Sequence, residues 1–557
     1  MNRIMYRMKI ILLSCSLLAS LSASATRYYV SSSTGKDKFS RDGKSEASAW
    51  ETISEVNRKT FSPGDSILFK KGDIWRETLK VPSSGKSGSF ITFSTYSSGA
   101  NPIIYGSKVS TGWKNYRGNI WVSSSKFTNP RTSFSCEIFF VEHDNSVTWG
   151  LFKANTGSLA ADHDWTWSGN FIYVYSVTDP GTRYSDIEVP QSQMCIDLNN
   201  KEYLDINGID LFYGIYEGIT YNWSHTQLNL KGLIIENCRI AFIGGNITSY
   251  DNENGFGIDV AYSDMIVRNC EIHHCGRRGI SFHLYGSGFT VKNVLIEQNY
   301  FHDGYHTTGV DISVGSGSFT GSFDGIIIRR NLFSDPPTSP ATSEHIFIQN
   351  YNHKSGVTDV NNIYIYSNIF KYPSHSAIMA EGCQGIYIYN NTFYNHNTTK
   401  SANVMHVWID ANNTSVKIKN NIFYTELSND NNGNGLELFS QTDYKNVDAD
   451  FNLYYRTSSS LRIINFNKTG YSSSQIAKVR LNYRWESHSP TPANPLFAKA
   501  ADNDFTPTSG SPAIGAGINL NLPVDYKGNK FDSITPSIGA FEGKQNKVTR
   551  AKSHLKK

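Results

Sequence analysis

Charge is scarce in this chain. Asp, Glu, Lys and Arg make up 18% of its 557 residues, fewer than a protein built on exposed, salt-bridged helices would carry. Asn, Ser, Gly and Tyr are abundant instead, a mixture that favours strands joined by tight polar turns. Cysteine is sparse as well. Beyond Cys15, the residues Cys136, Cys195, Cys238, Cys270, Cys275 and Cys383 match no common zinc spacing. They are too few to act as the main framework of so long a chain. An excess of one sign of charge is also missing. The formal net charge is +4, but Arg3, Arg7 and Lys9 lie in an N-terminal leader, and six basic residues lie in the tail 544–557, read as disordered. The body between them is slightly acidic, so global charge gives no argument for nucleic acid or for any polyanion. Selectivity for an anion must be local. No apolar run after the leader approaches the ~20 residues of a membrane span.

The leader has a basic start, an apolar stretch from Ile10 to about Leu21, and then Ala23-Ser24-Ala25. This pattern predicts a signal peptide over 1–25 and a secreted or periplasmic protein. The stretch Leu12-Leu13-Ser14-Cys15 resembles a lipoprotein box, but it stands only four apolar residues after Lys9. Cleavage near Ala25 is the preferred reading.

What is present is a repeat. Alternating apolar residues followed by Asn recur as Ile234-Ile235-Glu236-Asn237, Ile266-Val267-Arg268-Asn269, Ile328-Arg329-Arg330-Asn331, Ile365-Tyr366-Ser367-Asn368, Ile388-Tyr389-Asn390-Asn391 and Ile418-Lys419-Asn420-Asn421. With weaker copies the series is Asn207, Asn237, Asn269, Asn299, Asn331, Asn368, Asn391, Asn421 and Asn452, at intervals of 23 to 37 residues. Leucine-rich repeats need Leu at fixed positions, and propeller blades need about 40 residues. A parallel β-helix fits, because each coil supplies short strands and stacks on its neighbours. Asparagines stacked at a corner satisfy backbone groups there. Two residues on stand Phe301, Phe333, Phe370, Phe393 and Phe423, expected as an interior aromatic ladder.

The predicted organisation is an all-β right-handed parallel β-helix. Residues 26–109 form a capping helix (over 47–58) and the first coils. Residues 110–190, with five of the ten tryptophans, form a β-rich insertion. The main helix spans 191–460, and C-terminal coils and a cap span 461–543. These features resemble the pectate-lyase-like superfamily of secreted bacterial β-helix proteins over most of 26–543. The resemblance implies a polysaccharide partner, in some cases anionic, and no nucleic acid. It does not choose among lyases, hydrolases, epimerases, esterases and adhesins. A monomer is expected.

A second repeated segment reads Gly257-Ile258-Asp259-Val260, Gly279-Ile280-Ser281-Phe282-His283, Gly309-Val310-Asp311-Ile312-Ser313, His345-Ile346-Phe347-Ile348-Gln349 and Ala377-Ile378-Met379-Ala380-Glu381. Side chains alternate along a strand. If Ile258, Ile280, Phe282, Val310 and Ile312 point inward, then Asp259, Ser281, His283, Asp311, Ser313, Phe347, Gln349, Met379 and Glu381 form one exposed outward face. Coils about 4.8 Å apart place Asp259 and Asp311, two coils apart, roughly 10 Å from each other. The expected flanking loops are Gly244–Asn254 and Ser334–Glu344, with Arg277, Arg278, Tyr305 and His306 between them.

Two reactions suit such a face. β-Elimination of a uronate polymer needs a neutraliser for the carboxylate, a base for the C5 proton and an acid for the leaving oxygen. Arg277 or Arg278 is the candidate neutraliser, His283 the base, and Tyr305 or His306 the acid. His306, His345, Phe347, Gln349 and Glu381 are expected to line the substrate. Calcium is the neutraliser in many of the resembling lyases, and Asp251, Glu253 and Asp259 offer oxygen ligands for it. Those lyases use Lys or Arg as base, however, and no Lys stands on this face. Glycoside hydrolysis is the alternative. It would use Asp259 with Asp311, near the ~6.5–9.5 Å separation of an inverting pair, with Glu381 and Asp410 as further candidates. A non-catalytic glycan-binding adhesin is a third reading, and it would spread aromatics along the face instead of concentrating acid, base and cation.

Overall fold

The computed structural model describes residues 25–131, 135–221, 229–245, 254–284, 288–315, 321–337, 343–351, 359–397, 404–426 and 436–544. Three long sheets of 12, 11 and 12 strands wind into a right-handed parallel β-helix. Each coil contributes one strand to each sheet in turn. One coil, for example, runs Tyr262–Arg268 in the first sheet, Glu271–Cys275 in the second and Arg278–Leu284 in the third. Within these three sheets, among the described residues, pairing is parallel except in a terminal hairpin, Arg462–Phe466 with Thr469–Ser472.

The corner between the first and second sheets explains the repeat. Asn299, Asn331, Asn368, Asn391, Asn421 and Asn452 are buried there. Each amide reaches the next coil: Asn391 Nδ2 donates to Asn421 Oδ1 at 3.1 Å and to the Ile365 carbonyl at 2.9 Å, while Asn391 Oδ1 accepts from the Asn368 backbone N–H at 3.0 Å. The ladder thus bonds backbone groups that the tight corner would otherwise leave buried and unpaired. It begins later than the motif suggests. Asn237 and Asn269 stand one position earlier, in the left-handed conformation (φ 58° and 53°), and the buried ladder position in those coils is held by Cys238 and Cys270. Both thiols are free and enclosed. At the other end Glu486 closes the ladder, accepting from Asn452 Nδ2 at 3.0 Å and from the Tyr454 hydroxyl at 2.7 Å.

Phe301, Phe333, Phe370, Phe393, Phe423 and Tyr454 stack face to face inside the helix, 4.8 to 5.0 Å apart and within 10° of parallel. That spacing is the strand separation itself. The interior is therefore continuous, an apolar core running from Val30 to Trp485. The helix over Ile53–Asn57 places Ile53 and Val56 at the N-terminal end of this core. A second helix, Ile476–Tyr483, places Ile476 and Val479 at the other.

Between Ser107–Val109 and Asp186–Pro190 lie a four-stranded and a five-stranded sheet of mainly antiparallel pairing. The four-stranded sheet rests on the outside of the second sheet through an aromatic cluster of Phe139, Trp149, Phe212, Tyr213 and Phe242. The described residues from 491 to 544 do not add coils. They run back over the second sheet, where Phe497 and Phe505 pack on Tyr394 and Arg330 Nε donates to the Tyr526 carbonyl.

Candidate functional site

The third sheet carries the outward face. Its register sets Asp259 beside Ser281, Ser281 beside Asp311, Asp311 beside Phe347, and then Met379, Trp408 and Phe439 in one row. A parallel row runs His283, Ser313, Gln349 and Glu381. Phe282 and Ile312 between the rows, and Ile258, Ile280 and Val310 before the first, point into the core.

The acids are outward but not exposed, contrary to the expectation of an open face. Asp259 is 4% exposed and Asp311 0%. Arg278 folds over the row and its Nε lies 2.6 Å from Asp311 Oδ2. The Ser313 hydroxyl donates to Asp311 Oδ1 at 2.5 Å, and His283 Nε2 lies 3.5 Å from the same oxygen. These partners hold Asp311 well below the usual carboxylate range despite its burial. Asp259 goes the opposite way: burial pushes it up to about 7, against the lowering effects of the Ser281 hydroxyl and Arg278. Burial, reinforced by the Arg278 charge, lowers His283 and keeps its imidazole neutral at neutral pH. His306 is lowered for the same first reason, with Glu344 opposing.

Arg278 is thus spent inside the protein on Asp311, and only Arg277 remains as a candidate neutraliser. Arg277 is half-buried, lies 5.8 Å from the centre of the Phe256 ring, and its Nε has no hydrogen-bond partner among the described residues. Its charge acts on Asp259, His283 and His306.

Two expected site residues are displaced. His345 is fully enclosed (0%) and joins the interior stack, 5.8 Å from Phe333 and 6.0 Å from Phe370, with Nε2 3.4 Å from Asp335 Oδ2. The reason is the corner into the third sheet, where the chain bends so that two consecutive residues, His345 and Ile346, both face inward. Gly309 occupies the same place one coil earlier, and a Cβ there would lie 2.3 Å from Phe333. Tyr305 is drawn under the insertion, edge-on to Trp149 at 5.7 Å, and burial pushes its phenol up to about 12. It is no ready proton donor.

The remaining lining expected from sequence is on the face. Gln349 Nε2 donates to Glu381 Oε2 at 2.6 Å, and Phe347 stands 6.4 Å from the His306 ring. Asp410 accepts from Gln441 at 2.9 Å at the far end of the face. Of the proposed calcium ligands, Asp259 is enclosed beside Arg278, while Asp251 and Glu253 lie outside the described residues, as does most of the loop 244–254. Sequence reasoning missed Glu344, whose Oε1 is 2.8 Å from His375 Nδ1, because strict alternation from Ile346 places it inside. It also missed Trp408 and Phe439, which the same alternation carried two coils further would have found. Trp408 lies 5.2 Å from His375 and 5.8 Å from Phe439.

No family model matches this chain, and no curated protein matches it in sequence. Among solved structures, a complex of XylC with xylose superposes with a TM-score of 0.51 at 14% identity, covering 93% of this chain and 98% of that one. The likeness is one of fold. A glycoside hydrolase (TM-score 0.46, 11% identity, 79% and 95% covered) and the pectate lyase Pel9A (0.40, 13%, 94% and 97%) are also similar.

Proposed function

We propose that the outward face of the third sheet cleaves a uronic-acid-containing polysaccharide by β-elimination. The carrying observation is His283 set 3.5 Å from an Asp311 carboxylate that Arg278 holds from its other side, with burial favouring the neutral imidazole. With Nε2 3.5 Å from Asp311 Oδ1, a proton kept on Nε2 leaves the lone pair of the neutral ring on Nδ1, the arrangement of a general base. Arg277 is placed to pair with the uronate carboxylate and so acidify C5. The C5 proton passes to His283, the electron pair left on C5 forms the C4–C5 double bond, and the C4–O bond breaks. Asp259, a carboxylic acid near neutral pH, delivers its proton to the departing oxygen. Phe347, Met379, Trp408 and Phe439 continue the same row as an apolar platform for neighbouring sugar rings. A saccharide is the ligand of XylC, whose fold this chain shares.

A second reading, hydrolysis by Asp259 and Asp311, is favoured by their opposite shifts. It ranks lower because both Asp311 oxygens are already engaged, Oδ2 by Arg278 and Oδ1 by Ser313 and His283. The test is incubation with a panel of uronate and neutral polysaccharides. Ultraviolet absorbance from an unsaturated uronate end is the expected result. New reducing ends without that absorbance select hydrolysis, and no cleavage of any polymer selects a binding protein.

A further inference from the structure

Around the corner from this face, the outside of the second sheet carries a group of side chains that the proposed reaction does not use. His273 pairs with His302 in the next coil, and their rings stack 4.5 Å apart at 10°. His274 stands beside His273, and Asp303 beside His302, so four side chains fill a two-by-two patch on adjacent coils. His274 and Asp303 both sit in the left-handed conformation (φ 49° and 52°). This corner geometry, also adopted by Tyr213 and Phe242, lets consecutive residues project outward together. One ligand atom from each of His273, His274 and His302 lies within 4.8 Å of the other two. The two Nδ1 atoms of His273 and His274 are 2.7 Å apart. His302 is flanked by Asp303 Oδ2 at 2.5 Å and Glu271 Oε1 at 3.3 Å. The patch is half-buried and reachable from solvent.

We infer that His273, His274 and His302 bind a divalent transition-metal ion of the zinc class on the outer surface of the second sheet. Three convergent imidazoles are the donor set that Zn²⁺, Co²⁺, Ni²⁺ and Cu²⁺ prefer over Ca²⁺ or Mg²⁺. Asp303 and Glu271 bring two negative charges that balance the ion, and either orients His302 from its far side or completes the coordination. Phe242 stacks on His274 at 4.6 Å and belongs to the aromatic cluster under the insertion. A bound ion therefore ties two coils together beside the insertion. The other His-rich cluster, His396, His406 and Glu437, is different. It is sealed in the core, and Arg456 Nε lies 3.6 Å from Glu437, so the carboxylate already has a buried cation.

The test uses the full chain stripped with chelator and dialysed against Zn²⁺, with bound metal quantified, and in parallel loaded with Co²⁺ for visible spectroscopy. One equivalent of Zn²⁺ and nitrogen-ligated Co²⁺ bands are expected. His273→Ala and His302→Ala are each expected to weaken binding about tenfold or more, and His406→Ala to leave it unchanged. Substoichiometric Zn²⁺ and featureless Co²⁺ spectra in the unaltered chain would overturn the inference, and that readout depends on no variant folding. Undiminished binding in His273→Ala, or loss confined to His406→Ala, would also overturn it.

Discussion

At the scale of single residues, the site is a set of protons held where water alone would not leave them. In the proposed elimination His283 acts as a neutral base, so activity is expected to fall as pH drops through its depressed value. Asp259 must keep its proton, so activity is lost as pH rises through about 7. A bell-shaped kcat/KM profile peaking on the acid side of neutrality is expected, and Asp259→Asn should abolish its alkaline limb. His283→Ala is expected to lower kcat by about 10²–10⁴, whereas retained activity would remove it as the base. Asp311 acts through its neighbours. Asp311→Asn leaves Arg278 buried and unpaired, a loss of about 3–5 kcal/mol in stability. The double variant Asp311→Asn with Arg278→Met is expected to regain much of that stability in denaturant melts while remaining inactive. Recovery of activity would show that the pair is only structural.

At the scale of elements, the corner ladder and the aromatic stack do different work. Removing one rung by Asn391→Ala leaves the Asn368 backbone N–H and the Ile365 carbonyl without that partner, at about 1–3 kcal/mol per buried group. Phe393→Ala opens a void between rings 4.9 Å away on both sides, at about 3–5 kcal/mol. Urea midpoints measure both. Glu486 at the ladder's end is a buried acid raised to about 7. The folded chain therefore holds this proton more tightly than the unfolded one does, and its contribution to stability is present below about pH 4 and lost as pH rises towards 7. Glu486→Gln is expected to flatten that part of the pH–stability curve. An unchanged slope would show that the group stays ionised.

At the scale of the whole molecule, the proposed reaction places chemistry and grip at different points along one sheet. The polar end of the row (Asp259, Ser281, Asp311) meets the apolar end (Phe347, Met379, Trp408, Phe439) within consecutive coils. Trp408→Ala, three coils from Asp311, is expected to raise KM about tenfold with kcat little changed, the signature of binding shared by ground and transition states. A matching loss in kcat would place Trp408 within the reaction instead.

The period of the chain was enough to determine the β-helix, the inward phenylalanines and the two outward rows that begin at Asp259 and His283, because each follows from a local count of residues per coil and the two-residue alternation of strands. The count failed where a corner breaks alternation. His345 passed to the interior and Glu344 to the face, and Cys238 and Cys270 took ladder places that the motif assigns to asparagine. Tertiary structure alone decided the electrostatics. Whether an outward aspartate is solvated, protonated or locked to an arginine depends on which side chains from other coils close over it, and a single strand's sequence carries no record of that burial.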